Sequence, residues 1–225
     1  MRMNSQMDKN CAYCAEGALL EPFAIKLMDL PASKVYLFRE QSHRGRVIVA
    51  SKGHVGEIVD LPRRDRQEFL DDVARVAEAL RRALKPDKIN YGAYGDTCGH
   101  LHFHLVPKYA DDPFEWGETF AMNPQRTFLD ERGYSELIAR ISAALYVGNG
   151  FDLRKTLEEM YRDVKVDGKV DLTESDFLHE VLKPLASTGA SIASFVELLE
   201  RIREDGEVTE AESAEIIRRL EGLLS

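Results

Sequence analysis

The sequence predicts an α+β fold, an antiparallel sheet with one packed long helix, followed by a small all-α domain. The first observation is a set of short runs rich in β-branched and aromatic residues, which is typical of strands. These runs are residues 35–38, 47–50, 89–94 and 100–107. The second is one long stretch of helical periodicity between them, and the third is a C-terminal part with helical periodicity throughout.

The long helix is predicted over residues 65–84, where apolar side chains recur at helical spacing among charged ones. The apolar positions are Phe69, Val73, Val76, Leu80 and Leu84. Because they form a single stripe, this helix has one face to bury. The strands on either side of it in the chain predict that it packs against an antiparallel sheet.

The domain boundary is predicted at residues 147–150, where Val-Gly-Asn-Gly follows the helical pattern of residues 134–145. We therefore expect one domain over residues 1–148 and a second over residues 151–225. The second contains two copies of a helix-loop-helix pair. Asp167-Gly168 with Glu174 recurs as Asp205-Gly206 with Glu212, an offset of 38 residues.

The two loops of this repeat resemble calcium-binding EF-hand loops only in part. In the first, carboxylates stand at several ligand positions, but Lys165 occupies the third. In the second, Arg201 and Arg203 occupy the first and third positions, so tight calcium binding is not expected. We interpret both loops as turns in which glycine allows the bend and Asp171 or Thr209 caps the next helix.

The charge is unevenly distributed along the chain. The net charge of −9 comes from 30 basic and 39 acidic residues. From residue 151 onward there are 18 acidic and 10 basic residues, a net of −8, which leaves −1 for the first part. The acidic second part argues against nucleic-acid binding there, while the nearly neutral first part is compatible with an anionic ligand.

The composition also indicates the cellular compartment in which we expect the protein. There is no charged-then-apolar leader and no apolar run near 20 residues, so neither export nor a membrane span is expected. The three cysteines are an odd number and do not form a disulfide pattern, which favours the reducing cytoplasm. The isolated histidines His43 and His179 are expected on the surface.

The most informative feature is the row His100-Leu-His102-Phe-His104, three of the six histidines within five residues. Side chains alternate between the two faces of a strand, so all three imidazoles are predicted to project from one face. Neutral imidazole nitrogens suit nucleophilic attack, proton transfer or metal binding. A catalytic metal site is one alternative for such a row, and a row without function is another.

The pair Cys11-x-x-Cys14 is the second notable motif. By itself this spacing has three interpretations: half of a zinc site, a redox pair, or chance. A redox pair is disfavoured because no thioredoxin-like βαβ pattern surrounds it. The third cysteine, Cys98, is expected to be a small packed thiol beside the histidine row.

The segment from His100 to Val106 resembles the motif of the histidine triad (HIT) family, histidines separated and followed by apolar residues. Asn90 and Gly92 upstream, and Lys52-Gly53-His54 after a predicted strand, resemble further features of that family. The resemblance covers residues 11–146 and is strongest to the bacterial branch related to dinucleoside-polyphosphate hydrolases and nucleoside phosphoramidases. The helical part has a weaker resemblance to TerB-like domains.

The resemblance implies nucleotidyl transfer to a histidine. In the family the middle histidine, here His102, attacks the α-phosphorus of a nucleotide, and water then hydrolyses the covalent intermediate. His104 would hold or relay a proton, His100 completes the triad, and Thr97 would bind the equatorial phosphate oxygens together with backbone donors. Transfer of this kind depends on positioning and electrostatics.

The resemblance also implies substrate contacts from Asn90, Lys52, Arg46 and Trp116. Arg46 stands where many members carry histidine, and its charge favours a more phosphorylated or differently shaped substrate. Asp96 stands where many carry glutamine. The residues at the level of the ribose-binding aspartate are Phe38-Arg39-Glu40, so that aspartate is absent.

In zinc-bearing members of the family, the zinc ion is bound by two such cysteines, by the histidine after the second strand and by the first triad histidine. The corresponding residues here are Cys11, Cys14, His54 and His100. Two thiolates and two imidazoles form a closed tetrahedral set, which is typical of structural and not catalytic zinc.

The family resemblance further implies a homodimer in which the two sheets join. Four large apolar residues follow the triad: Phe114, Trp116, Phe120 and Met122. They either pack within their own subunit or place Trp116 near the site, where its ring could stack on a base. The partner of the helical domain is unknown.

Two function classes follow. The first is a nucleotide-processing hydrolase or nucleotidyl transferase acting through His102, on a nucleoside phosphoramidate or dinucleoside polyphosphate. The alternative is a zinc- and nucleotide-binding regulatory protein that has lost efficient turnover and uses its helical domain to bind partners.

Overall fold

The computed structural model describes residues 8–112, 116–117, 125–148 and 152–225. It divides into two compact units, Met1–Leu129 and Asp130–Ser225. The division falls before the helix Glu131–Gly148, which the sequence analysis assigned to the first domain. That helix belongs to the second unit because it packs extensively on another helix there. Part of the predicted linker, residues 149–151, lies outside the described residues.

The first unit contains a five-stranded antiparallel sheet in the order β1-β2-β3-β5-β4. The strands are β1 Ala24–Asp29, β2 Ser33–Phe38, β3 Val47–Ser51, β4 Lys88–Gly92 and β5 His102–Lys108. The predicted α+β class is confirmed. β1 was not predicted, because it lies at the sheet edge and five of its six residues are partly buried or exposed.

The strand register places two histidines of the row on one face of the sheet. In β3, Ala50 pairs with His102 and Ile48 pairs with His104. Paired residues in an antiparallel sheet point to the same side, so these four side chains share a face. Phe103 points to the other side, where its ring lies 5.8 Å from the ring of Phe69.

Phe69 belongs to the long helix α2, Arg63–Leu84, which matches the predicted helix closely. Its buried positions include Val73, Val76 and Leu80, the predicted apolar stripe. α2 contacts β2, β3 and β5 and therefore covers the sheet face opposite the histidines.

A short helix, α1 Ala12–Ala15, begins just after Cys11 and contributes to a core cluster on the histidine face. Glu16 at its end holds this segment to the sheet: it lies 2.7 Å from Lys34 Nζ and accepts a 3.0 Å hydrogen bond from the Tyr36 hydroxyl. Burial opposes ionisation of Glu16, but the hydrogen bonds it accepts outweigh burial and lower its pKa. This half-buried carboxylate therefore stays ionised beside two lysines, Lys34 and Lys26. The first part of the chain is thereby fixed over β2.

The second unit is helical in its described residues. Its helices are α3 Glu131–Gly148, α4 Leu153–Asp167, α5 Leu172–Leu182, α6 Ala190–Asp205 and α7 Glu210–Leu224. α4 and α6 each end at a left-handed glycine, Gly168 with φ of 74° and Gly206 with φ of 78°. Capping boxes then start α5 at Asp171 and α7 at Thr209, which confirms the predicted turns.

His43 and His179 are both buried, at 3% and 2% exposure, so the expected surface position is wrong for each. His43 lies in the turn that enters β3, where its carbonyl accepts a 3.1 Å hydrogen bond from the Arg46 amide. His179 lies on α5 and packs beside Glu180, Glu200 and Arg203. Isolated histidines carry no periodic signal in the sequence, and tertiary packing decided their burial.

Of the helices described, none is both long and apolar enough to cross a membrane.

Candidate active site and metal site

A cavity of about 600 Å³ opens on the histidine face of the sheet. Part of its wall is formed by His102 and His104 from β5, by Ile48 from β3 and by Arg46 just before β3. The other lining residues come from α1, the turn before β1, β2 and the loop before the histidine row. They are Ala12, Tyr13, Phe23, Phe38, Tyr94, Asp96, Thr97 and Cys98. The cavity is therefore mostly apolar, with a small set of polar groups on one side, as is usual for small-molecule sites.

The hydrogen bonding of His102 fixes which nitrogen is reactive. Its Nδ1 lies 2.6 Å from the backbone carbonyl of His100. A carbonyl only accepts, so Nδ1 carries the proton and Nε2 holds the lone pair. Burial lowers the pKa of His102, with the charge of Arg46 acting in the same direction. His102 is thus a neutral imidazole whose Nε2 is available as a nucleophile.

His104 has the opposite tautomer because of Arg46. The guanidinium lies against His104 Nδ1, with Nη2 at 3.2 Å and Nε at 3.4 Å. Since a guanidinium only donates, Nδ1 is the acceptor and the proton of the neutral ring is on Nε2. Burial and then Arg46 lower the pKa of His104 to about 3. The imidazole rings of His102 and His104 lie 5.1 Å apart.

Arg46 is held in place by the residues before and beside it. Gly45 has a φ of 86°, and a Cβ there would overlap the side chain of Leu84 on α2. Glycine is therefore needed at this position both for the turn and for the close approach of α2. The Arg46 guanidinium stacks on Phe38, 4.2 Å from the ring centroid, and the residue is only 3% exposed.

Tyr13 packs on the first two histidines of the row. Its ring centroid lies 5.2 Å from that of His100 and 4.9 Å from that of His102. Burial raises the pKa of Tyr13, so the phenol remains protonated. Neither Tyr13 nor Phe38, the stacking partner of Arg46, is predicted as a site residue from the sequence. The position of Tyr13 between two cysteines is the one signal for it.

His100 precedes β5 and belongs to a separate cluster with Cys11, Cys14 and His54, whose ligand atoms all lie within 4.8 Å of one another. His100 Nδ1 lies 3.3 Å from Cys11 Sγ, 3.6 Å from Cys14 Sγ and 3.3 Å from His54 Nδ1. His54 Nδ1 lies 3.3 Å from Cys14 Sγ. The bond lengths of tetrahedral zinc imply ligand separations of about 3.3 to 3.8 Å, so these four separations fit the metal.

The protonation of the cluster also suits a cation. His100 Nε2 lies 2.8 Å from the carbonyl of Ser51, which places the proton there and leaves Nδ1 free to bind. Burial lowers the pKa of His100 to about 4, so the ring is neutral. Burial raises the pKa of the Cys14 thiol, and a bound cation would reverse that effect by stabilising the thiolate.

The other residues proposed from the sequence lie at different places. Thr97 lines the cavity. Asn90 pairs with Val106 and so lies on the histidine face, half-buried, while Lys52 is exposed just beyond β3. Trp116 is 57% exposed, with Lys108 Nζ 5.7 Å from its ring centroid. None of these last three is among the cavity-lining residues, and Phe114, Phe120 and Met122 lie outside the described residues.

Residues 29–111 match the family model of the HIT domain. The comparison with curated proteins finds no match. Among solved structures, the fold is similar to a histidine triad protein from Bradyrhizobium japonicum, at 23% identity and a TM-score of 0.53, covering 57% of this chain and 96% of that one. A histidine triad protein from Marinobacter aquaeolei VT8 has 22% identity and a TM-score of 0.53, with 59% and 96% covered.

A third histidine triad protein, from Sinorhizobium meliloti 1021, has 22% identity and a TM-score of 0.52, covering 61% of this chain and 95% of that one. These identities establish the shared fold alone. The residues that match the family model, 29–111, lie within the first unit.

Proposed function

We propose that this HIT domain is a nucleotide hydrolase or nucleotidyl transferase in which His102 attacks the α-phosphorus of the substrate. Nucleoside phosphoramidates and dinucleoside polyphosphates are the substrate types. The observation that carries the proposal is the 2.6 Å contact of His102 Nδ1 with the His100 carbonyl, which directs the lone pair of a neutral imidazole outward on Nε2. A neutral imidazole is a good nucleophile near pH 7.

The reaction has two displacements. In the first, Nε2 forms a bond to phosphorus and the bond to the leaving group breaks, giving a nucleotidyl-imidazolium. Its positive charge is stabilised by the Nδ1–H bond to the His100 carbonyl. In the second, water attacks phosphorus, the P–N bond breaks, and His102 returns to its neutral form. Splitting one difficult step into two easier ones is the advantage of the covalent intermediate.

Three further groups of the cavity support this chemistry. The His104 Nε2–H and the Arg46 guanidinium lie on the same wall as His102 and can bind negatively charged phosphate oxygens. The Thr97 hydroxyl also lines the cavity and can donate to an equatorial oxygen. The proposal also includes substrate contacts from Asn90, Lys52 and Trp116. None of these three residues is among those that line the cavity.

We also propose that Cys11, Cys14, His54 and His100 hold a structural zinc ion. The fit of their separations to a tetrahedral site supports this. The ion would crosslink the segment at α1 to the segment after β3, which carries His54, and to the segment before β5, which carries His100. With four protein ligands no position is left for substrate, so the metal would stabilise the fold and take no part in the displacements.

The homodimer is likewise a proposal. β4 is at an edge of the sheet, so its outer hydrogen-bonding groups are available to pair with the same strand of a second chain. Light scattering at micromolar concentration tests this and should give twice the chain mass. Quenching of Trp116, the only tryptophan, would report nucleotide binding nearby. A cytoplasmic location fits three unpaired cysteines.

One observation favours the alternative, a regulatory protein without efficient turnover. Glu40, at the level of the family's ribose-binding aspartate, does not line the cavity. Its carboxylate instead accepts hydrogen bonds from the Ser42 amide at 2.8 Å and the Thr127 amide at 3.1 Å. Ribose recognition would then depend on other groups, which would weaken nucleotide binding.

The test is replacement of the nucleophile. His102→Ala should abolish single-turnover cleavage and the acid-labile nucleotidyl adduct that mass spectrometry detects in wild type, while metal content and melting temperature stay close to wild type. His54→Asn is the matched control, because it removes a histidine of the metal cluster and should affect stability more than chemistry. Unchanged turnover in His102→Ala rejects the mechanism, and binding without turnover in wild type favours the alternative.

A further inference from the structure

Arg46 places a buried guanidinium on the wall of the cavity, in direct contact with one of its two histidines. The guanidinium nitrogens lie 3.2 and 3.4 Å from His104 Nδ1, and the plane rests on the ring of Phe38. Among the described residues that line the cavity, Arg46 is the one lysine or arginine. The positive charge beside His102 and His104 is therefore fixed and poorly screened by water.

This contact also decides the protonation of His104. Arg46 donates to Nδ1, so that nitrogen must keep its lone pair. A second proton on His104 would remove this acceptor and bring two cations into contact inside the protein. Burial opposes the charged form as well, in agreement with a pKa of about 3 for His104. The pair therefore offers a permanent positive charge but no readily transferred proton.

Resting on the proposed transfer to His102, we propose that Arg46 makes this site selective for phosphoanhydrides over phosphoramidates. The preferred substrates are nucleotides whose leaving group departs as a phosphate oxyanion, such as dinucleoside polyphosphates. The basis of this selectivity is the buried cation in the site, which can stabilise a departing oxyanion. The leaving group of a phosphoramidate would instead need an acid at that position.

The two substrate classes differ in the bond that breaks and in the proton that is needed in the first step. With an anhydride, His102 Nε2 bonds to phosphorus, the P–O bond breaks, and the electron pair leaves on the phosphate oxygen. No proton is needed, and the guanidinium stabilises the negative charge that develops. Water then replaces the imidazole on phosphorus, and its second proton passes to solvent or to the released phosphate.

A phosphoramidate leaves through its nitrogen. The P–N bond to the substrate breaks, and the departing nitrogen must gain a proton because an amide anion is far too basic to leave. The Nε2–H of a neutral imidazole is a very weak acid, and the doubly protonated form of His104 is excluded by its contact with Arg46. The fixed positive charge gives no compensating stabilisation to a neutral amine.

The experiment compares diadenosine triphosphate with adenosine 5′-phosphoramidate, and the corresponding guanosine pair in parallel. Both members of a pair donate the same nucleotidyl group to His102, so the ratio of their kcat/KM values isolates the leaving group. Wild type should favour the triphosphate by at least about tenfold, and Arg46→Gln should reduce that ratio by about a hundredfold, the typical effect of one lost charge-stabilising donor. Arg46→Lys, which keeps the charge, should retain most of the preference.

Arg44→Gln is the matched control, because Arg44 is exposed two positions away. Its ratio should equal that of wild type. Partial unfolding of a variant lowers both kcat/KM values by the same factor and leaves their ratio unchanged. A change in the ratio therefore cannot come from a loss of folded protein. A wild-type preference for the phosphoramidate, or an unchanged ratio in Arg46→Gln, overturns the role of Arg46 and leaves the proposed function intact. Failure of wild type to cleave either substrate overturns the proposed function, and this inference with it.

Discussion

The ring of Tyr13 packs on the imidazole of His102, with centroids 4.9 Å apart and planes inclined by 38°. Tyr13 lies in the chain between Cys11 and Cys14, two members of the metal cluster, and also lines the cavity. The short helix α1 therefore contributes to both sites. Whatever fixes α1 also fixes one side of the proposed nucleophile.

We predict that Tyr13→Ala lowers kcat by about tenfold, because His102 then has room to leave its attacking orientation. KM should change less, since His104 and Arg46, the groups proposed to bind phosphate, are untouched. Tyr13→Phe keeps the ring contact and should stay close to wild type. Steady-state kinetics on metal-loaded protein measures this, and wild-type kcat in Tyr13→Ala would show that the packing does not position His102.

We predict about one zinc ion per chain in protein purified without chelator, and its loss in Cys14→Ser. Because metal binding and local folding are coupled, the melting temperature should fall by at least about 5 °C. Cys98→Ser is the matched control: Cys98 lies beside the cavity but is not in the four-residue cluster, so metal should be retained. Elemental analysis and thermal unfolding decide the result, and wild-type protein without zinc contradicts it.

We predict that His104 makes the fold less stable in mild acid. Its pKa falls from 6.5 to about 3 on folding, so the unfolded chain binds a proton that the native state rejects. The stabilisation is complete above pH 6.5 and decreases as pH falls toward 3, reaching a loss of about 2 kcal/mol at pH 5. His104→Gln removes this titration and still offers an oxygen to Arg46.

The measurement is the free energy of unfolding in urea at pH 7.5 and pH 5. Because the other titrating groups are common to both proteins, they cancel in the comparison. Wild type should lose more stability than His104→Gln between the two pH values. Equal losses would mean that His104 is not held neutral by its surroundings.

We predict that Glu174→Gln stabilises the helical unit at alkaline pH. Burial, followed by the charges of Asp171, Asp167 and Asp163, raises the pKa of Glu174 to about 7. The ionised form is therefore disfavoured in the native state, and stability decreases as pH rises from 4.5 through 7. Glutamine keeps the hydrogen bond that the Asp171 amide donates in the capping box, at 2.9 Å in the native protein.

The gain should be on the order of 1 kcal/mol at pH 8 after allowance for solvent screening, and much smaller at pH 5. Glu212→Gln is the matched control, because Glu212 has the same place in the capping box of α7. Its loop carries Arg201 and Thr209 where the first loop carries Asp163 and Asp171, so the like charges are fewer. A stabilisation of equal size in both variants would contradict the electrostatic explanation.

The sequence alone determined the features that depend on short spacings. Alternation along a strand is a property of the extended backbone, so His102 and His104 had to share a face once β5 formed. The stripe on α2 and the two capping boxes follow in the same way from helical spacing. The metal cluster was expected from a family resemblance, and the structure brings its four residues together. The likeness of the helical unit to TerB-like domains stays a prediction.

Only the tertiary structure decided what depends on groups distant in the chain. The Ser51 carbonyl determines that His100 offers Nδ1 to the metal cluster, and Arg46 determines that His104 is neutral with its proton on Nε2. The roles of Tyr13 and the burial of His43 and His179 also arose from packing that no local pattern records. Local spacing sets the direction of a side chain, whereas its tautomer, charge and neighbours are set by atoms that folding brings into contact with it.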